Sequence, residues 1–324
     1  MKILVIGGTL FIGRRLVARL LEQGHEVAVL HRKSAHDLDP RVSNLAADRN
    51  DPSAVRAALQ DRRFDAVFDN VYDWGRGTTA EQVEATARAC GDRIQRYIFM
   101  SSVAAYGEGL DHREEDELAP QDHPEPYVRN KAASERALFR MHREEGLPVV
   151  TLRPPFVYGP GNPFYREAFF WDRMRDGRPI VVPDGGARLM QFVHVDDLVS
   201  VCLKVLEAPQ AVGHAFNVAN PRPVTQLEAI EAMARAAGYR PELVFAPRAK
   251  ILECGGQALG THLYFGEYFD LPPITMCTEK VKRMLGFRPI DFAEGLRRTY
   301  AWYAAQPPRR PDYSFEDRLL AQIR

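Results

Sequence analysis

The chain of 324 residues is short of cysteine, with Cys90, Cys202, Cys254 and Cys277 scattered in no CxxC or histidine-paired spacing. Neither a disulfide framework nor a zinc site is indicated, and a reducing cytoplasm fits. Excess charge is lacking too: 43 Lys plus Arg face 43 Asp plus Glu, so the summed field favours neither nucleic acid nor an anionic membrane as partner. A small-molecule partner is expected. No stretch reaches the length of a membrane-spanning helix. The apolar run at the amino terminus is broken by Gly7-Gly8-Thr9 and closed by Arg14-Arg15, unlike a secretion signal. There is no internal repeat, and the length prior suggests about two domains.

What is present is organised around Lys2 to Leu16, KILVIGGTLFIGRRL. Ile3 to Ile6 reads as a buried parallel strand, and Gly7-Gly8 end it where helical periodicity begins at Phe11, Ile12, Leu16, Val17 and Leu20. Glycines at a strand-to-helix turn let the backbone approach a pyrophosphate, whose charge the helix amides and dipole favour. The expected ligand is a dinucleotide, although Gly7 and Gly13 bracket Leu10 where a GxxGxxG motif would have its middle glycine.

A second strand, Glu26 to Leu30, ends at His31-Arg32-Lys33. The acid that would bind adenosine ribose hydroxyls is missing there, and basic groups stand in its place. This tilts the cofactor from NAD(H) toward NADP(H), with a solvated loop as the alternative. Asp48 follows a third strand and either accepts from the adenine amino group or caps the helix starting near Pro52. Strands at Ala66 to Phe68 and Tyr97 to Met100, with a helix from Thr79 to Cys90 between them, continue the alternation. That pattern predicts an α/β fold with a doubly wound parallel sheet.

The fifth strand runs directly into Ser101-Ser102-Val103-Ala104-Ala105-Tyr106-Gly107, which places hydroxyls at the ligand-binding end of the sheet. After an acidic loop, Tyr127 and Lys131 open a helix, four residues apart and so on one face. An ammonium beside a phenol favours the phenolate and lowers its pKa, making an acid/base near working pH. YxxxK alone is weak; its place after the serines and the glycine turn gives it meaning.

At this point the chain resembles the extended short-chain dehydrogenase/reductases, the NAD(P)-dependent epimerase/dehydratase family. The resemblance rests on GGTLFIG, SSVAAYG, YVRNK, Leu152 to Pro160 (LRPPFVYGP), Phe192 to Leu198 (FVHVDDL) and Phe216-Asn217-Val218. It implies a Rossmann domain over 1–160 with a return at about 190–220, a smaller α/β substrate domain over 161–324, and a homodimer. It implies Tyr127 as acid/base, Lys131 on the nicotinamide ribose, and Ser102, not Ser101, on the reacting carbonyl or hydroxyl. Gly7, Thr9, Leu10, Phe11, Ile12, Gly13, His31, Arg32, Asp48, Arg49, Val71, Lys131 and Pro154 would line the cofactor. Ala104, Phe156, Arg188 and Met190 would face the substrate, a sugar or nucleotide sugar.

Departures narrow the chemistry. Sugar dehydratases of the family carry Asp and Glu where this chain has Val103 and Ala104, which transfer no proton, and glucuronate decarboxylases carry a Glu at the second position. Simple redox or epimerisation remains. Phe156 and Met190 stand where nucleotide-sugar members usually have Asn and Arg, so a diphosphate would rest on Arg178, Arg188 or Arg222, each also readable as a surface arginine. These substitutions suit a one-way NADPH-dependent carbonyl reductase on a non-nucleotide substrate. The GGTxFIGR form also resembles an atypical branch that includes chloroplast stem-loop RNA-binding proteins, which would make the chain a cofactor-responsive regulator. Balanced charge counts against that.

Elsewhere, aromatic clusters at Phe164-Tyr165, Phe169-Phe170-Trp171 and Tyr264 to Phe269 either stack on a ligand or fill a core. Asp196-Asp197 are expected to cap the following helix, and Thr225 with Glu228 has capping-box spacing. Residues 255–273 read as a loop covering the substrate, and 307–311 as the start of an exposed tail.

Overall fold

The structure, a computed structural model, describes residues 1–91 and 93–323. Strands β1 (Lys2–Ile6), β2 (Glu26–His31), β3 (Ser43–Ala46), β4 (Ala66–Asp69) and β5 (Arg96–Met100) join Val149–Arg153 and His214–Asn217 in one sheet. Its order is His214–Asn217, Val149–Arg153, β5, β4, β1, β2, β3, every neighbouring pair parallel. The strand order reverses between β1 and β4, and ligands of open α/β sheets bind in the crevice beyond such a reversal.

Helices α1 (Phe11–Glu22), α2 (Pro52–Leu59), α3 (Ala80–Ala89), α4 (Pro126–Glu145), α5 (Glu167–Arg175), α6 (Val195–Glu207) and α7 (Gln226–Ala237) follow in chain order. One face of the sheet packs Ile3, Val5 and Phe68 against Leu16 and Leu20 of α1 and Leu198, Val201 and Val205 of α6. The other packs Leu4, Ile6 and Val67 against Val55 of α2, Val83 and Ala87 of α3, and Leu138 and Met141 of α4. Strands buried on both faces are near-continuous apolar runs for this reason.

A third core is built on α5 and α7 around Phe169, Phe170, Trp171, Phe265 and Phe269, so most of the aromatic clusters are filling. Residues 255–273 form no named helix or strand, yet they contribute Tyr264, Phe265 and Phe269 to this core. The stretch past 307–311 is more than a tail. It leads into the helix Ser314–Ile323, which buries Phe315, Leu319 and Leu320 and pairs Glu316 with Arg173 at 3.0 Å.

Helix starts correct two expectations. The boxes at Thr79 with Gln82 and at Thr225 with Glu228 are formed. Helix α6, however, is capped by His194, whose Nδ1 accepts from the Asp196 amide at 3.2 Å. Asp196 turns outward to Arg15, and Asp197 accepts from the Ile290 amide at 3.0 Å. Asp51, not Asp48, caps α2 through the amides of Ser53 and Ala54.

The contact that sets α4 on the sheet is a buried carboxylate. Glu135 accepts from Ser101 Oγ at 2.5 Å, Thr151 Oγ1 at 3.0 Å and Arg153 Nη2 at 2.7 Å. Arg153 continues to Tyr106 Oη at 2.6 Å, and Tyr106 donates to Asn217 Oδ1 at 2.8 Å. Three adjacent strands and the helix are thus joined by one fully buried network. Glu135→Leu would strand the Arg153 guanidinium, so urea denaturation should show about 3–5 kcal/mol of lost stability; a loss under about 1 kcal/mol would mean that packing alone seats the helix.

Candidate active site

The turn after β1 needs glycine at both ends. Gly7 has φ +83°, where a Cβ would collide with Val71, and a Cβ on Gly13 would enter the carbonyl oxygen of Gly7. Leu10 has φ −127° and ψ 151°, an extended conformation open to any residue, and its side chain is 69% exposed. The missing middle glycine therefore does not block the chain's path. Phe11 carries φ +35° instead, a strained value for a bulky residue. No side chain caps α1, which leaves its first amides free to face an anion. Beside Gly7, Asn70 follows β4, and both polar atoms of its side chain are buried without a partner among the described residues. A glycine cradle, free helix amides and an orphaned carboxamide fit a dinucleotide.

At the adenosine end the basic groups separate. His31 Nε2 lies 2.5 Å from Asn44 Oδ1, and Arg49 is drawn under the sheet to Asp69 at 2.5 Å and Thr86 Oγ1 at 2.7 Å. Those side chains are hydrogen-bonded within the fold. Asp48 accepts from the Asn50 amide at 2.9 Å and from Arg76 at 2.7 Å. Arg32 stays open, 70% exposed and 3.6 Å from Asp73, and Lys33 beside it is exposed as well.

The catalytic end is built by β5 and α4. Ser101 is held by Glu135, whereas Ser102 begins a turn, accepts from the Ala104 amide at 3.2 Å and favours the phenolate of Tyr127. Burial holds that phenol above its ordinary value, against Ser102 and Arg166, which favour the phenolate. Lys131 lies one turn further along α4. Its Nζ donates to Met100 O at 2.6 Å, 5.9 Å from the Tyr127 ring centroid, and burial draws its pKa down to about 8. In this arrangement the groups that favour the phenolate are Ser102 and Arg166.

Pro154 is buried where its carbonyl accepts from the Val103 amide at 3.0 Å. Ala104 is half-buried on the turn after Ser102. Phe156 lies against Phe269 at 5.0 Å and Arg166 at 5.1 Å. Met190 is buried in the third core, and Arg188 donates to the Asp270 carbonyl at 2.5 Å. Met190 thus packs as core and Arg188 is held at Asp270. Arg222 and Arg178 pair at the surface with Glu228 and Asp317.

Sequence reasoning missed Asn70, Trp74 and Arg166. Trp74 stacks on Tyr127 at 4.7 Å and 22°, lies 6.0 Å from Tyr268 and meets Phe164 edge-on at 5.8 Å. The wall thus joins a loop after β4, the loop before α5 and residues 255–273. One signal was available: Asn70 to Trp74 continue β4 at its carboxyl end, where ligands bind.

Residues 3–219 match the NAD dependent epimerase/dehydratase family. The chain is 30% identical, over 99% of its length and 84% of the other, to the chloroplast stem-loop binding protein of 41 kDa b from Arabidopsis thaliana. It is 28% identical, over 98% and 97% of the two chains, to a 2-alkyl-3-oxoalkanoate reductase of Stenotrophomonas maltophilia. The UDP-glucuronic acid 4-epimerase of Bacillus cereus, solved with UDP-glucuronic acid and NAD, superposes with a TM-score of 0.74 at 20% identity, covering 94% of this chain and 99% of that one. A seven-stranded parallel sheet, a glycine cradle at its first turn and a match across two thirds of the sequence agree: the chain is an NAD-dependent enzyme of the NAD dependent epimerase/dehydratase family.

Proposed function

We propose that the protein moves a hydride at a secondary hydroxyl or ketone of a sugar or nucleotide sugar, with Tyr127 exchanging the proton. The observation carrying this reading is the meeting of Ser102, Tyr127 and Lys131 at the carboxyl end of the sheet. The family description and the UDP-glucuronic acid and NAD in the Bacillus cereus neighbour support the substrate class.

The nicotinamide, when bound, supplies the hydride or receives it. Gly7, Gly13 and the amides of α1 would hold the diphosphate, and Lys131 would be the residue on the ribose. The phenol, kept protonated at neutral pH by its surroundings, gives its Oη proton to a substrate oxygen as a carbonyl is reduced. Ser102 and Arg166 stabilise the phenolate left behind, and the same phenolate takes a proton in the reverse direction. Epimerisation uses both directions in turn. Val103 and Ala104 offer no group to expel water, which sets dehydration aside.

A second reading, an NADPH-dependent carbonyl reductase on a non-nucleotide substrate, is favoured by the burial of Met190 and the tie of Arg188 to Asp270. The Stenotrophomonas maltophilia relative is a reductase by name. Binding to RNA without turnover has the name of the Arabidopsis relative behind it, and a formal charge of zero against it.

Tyr127→Phe should lower kcat by about a hundredfold to ten-thousandfold while the cofactor dissociation constant stays within about threefold; retained turnover, measured as nicotinamide absorbance, would remove Tyr127 from the chemistry. Lys131 is charged below its pKa of about 8 and neutral above it. Cofactor affinity measured by calorimetry should therefore weaken by about three- to tenfold between about pH 7 and about pH 9, and Lys131→Met should give a flat profile. We further propose that Arg32 admits a 2′-phosphate, giving a preference for NADP. Arg32→Glu should then weaken NADPH by about tenfold or more and leave NADH nearly unchanged; equal effects on both would refute it.

A further inference from the structure

Among the described residues four arginines are buried: Arg49, Arg153, Arg166 and Arg173. Three have a carboxylate, since Arg49 meets Asp69 at 2.5 Å, Arg153 meets Glu135 at 2.7 Å and Arg173 meets Glu316 at 3.0 Å. Arg166, 8% exposed, forms no ion pair among the described residues. Its Nε donates to the carbonyl of Glu267 at 3.2 Å, and its guanidinium lies 4.3 Å from the ring centroid of Phe164 and 5.1 Å from that of Phe156.

The acids that bear on it electrostatically are engaged elsewhere. Glu167 accepts from Asn162 Nδ2 at 3.0 Å, and Glu267 accepts from the Tyr165 amide at 2.9 Å. Burying a charge costs several kcal/mol, whereas cation–π contact returns about 2 kcal/mol at most sites of this kind. That difference is left unmet where Arg166 covers Phe164, whose ring meets the Trp74 that stacks on Tyr127.

We propose that Arg166 binds an oxyanion, a carboxylate or a phosphate, carried on the reacting unit of the substrate close to the carbon whose oxygen faces Tyr127. The inference rests on the function proposed above and narrows its substrate to an acidic sugar or a sugar phosphate. Trp74, Phe164 and Tyr268 supply flat apolar faces for the ring itself, and Arg166 fixes which edge of it points inward. Guanidinium geometry suits this, because its fork of donors matches paired oxygens. With the anion in place, the positive charge near Tyr127 is partly neutralised, so substrate binding and the proton affinity of the phenol are coupled.

The test uses the full chain saturated with NAD+, titrated with two matched pairs: UDP-glucose against UDP-glucuronate, and glucose against glucose 6-phosphate. Quenching of tryptophan fluorescence reports binding, since Trp74 stacks on Tyr127. The wild type should prefer the anionic member of at least one pair by about tenfold or more, and the pair concerned tells carboxylate from phosphate. Arg166→Met should erase that preference while NAD+ affinity stays within about twofold, and Arg166→Lys should keep part of it. If Arg166→Met loses its thermal transition, Arg166→Lys and Arg166→Gln carry the comparison. A wild type that binds NAD+ but shows no preference in either pair, or a preference unchanged in the variants, overturns the anion site alone. A wild type that binds no nicotinamide nucleotide overturns the proposed function, and this inference with it.

Discussion

Glu135 lies two helical turns past Tyr127 and one past Lys131, so the three project from one face of α4. Its oxygens receive the hydroxyls of Ser101 and Thr151 and the guanidinium of Arg153. A carboxylate at zero exposure is tolerated only when its acceptor sites are filled. Those same bonds fix the height and rotation of α4 over the carboxyl ends of β5 and Val149–Arg153. The acid/base and the lysine then inherit their positions. Ser101 anchors the helix, and Ser102, free of that duty, starts the next turn by accepting from the Ala104 amide. Two adjacent identical residues do different work because strand pleating points them opposite ways.

Much of this was legible in the primary structure because it is local. The turn at Gly7 and Gly13, the alternation of strands and helices, and the Tyr127 and Lys131 spacing each lie within a short window. The seven-strand order follows from that alternation together with the rules for parallel crossovers. What was not legible is mostly through-space. His31 and Arg49 look alike as basic residues near a strand end, but Asn44 and Asp69, reached by folding, claim them. His194 displaced two better-known capping types because its ring nitrogen was oriented toward the amide of Asp196. The helix Ser314–Ile323 was missed because its apolar positions, Phe315, Leu319 and Leu320, are few and follow a proline-arginine run.

The site residues that escaped notice share that origin. Arg166 sits among aromatics that read as core, and most of them are; only its lack of a carboxylate partner sets it apart, and partnership cannot be seen in one dimension. The relation between Lys131 and Tyr127 shows the same limit from the other side. Spacing correctly placed both on one helical face, but one face does not mean direct electrostatic control. The lysine is buried deeper, against the Met100 carbonyl and the ring of Phe99, and the phenol answers to Ser102 and Arg166.

The strand His214–Asn217 carries a consequence for how the molecule can be divided. The chain leaves the large sheet after Val149–Arg153, builds α5 in the third core, then returns through α6 to add this strand at the sheet's edge before leaving again. No single cut yields two self-contained pieces, because a fragment ending near residue 160 would expose the flank of Val149–Arg153 and lose the α6 side of its core. Any opening of the crevice must likewise flex the chain at several crossings together.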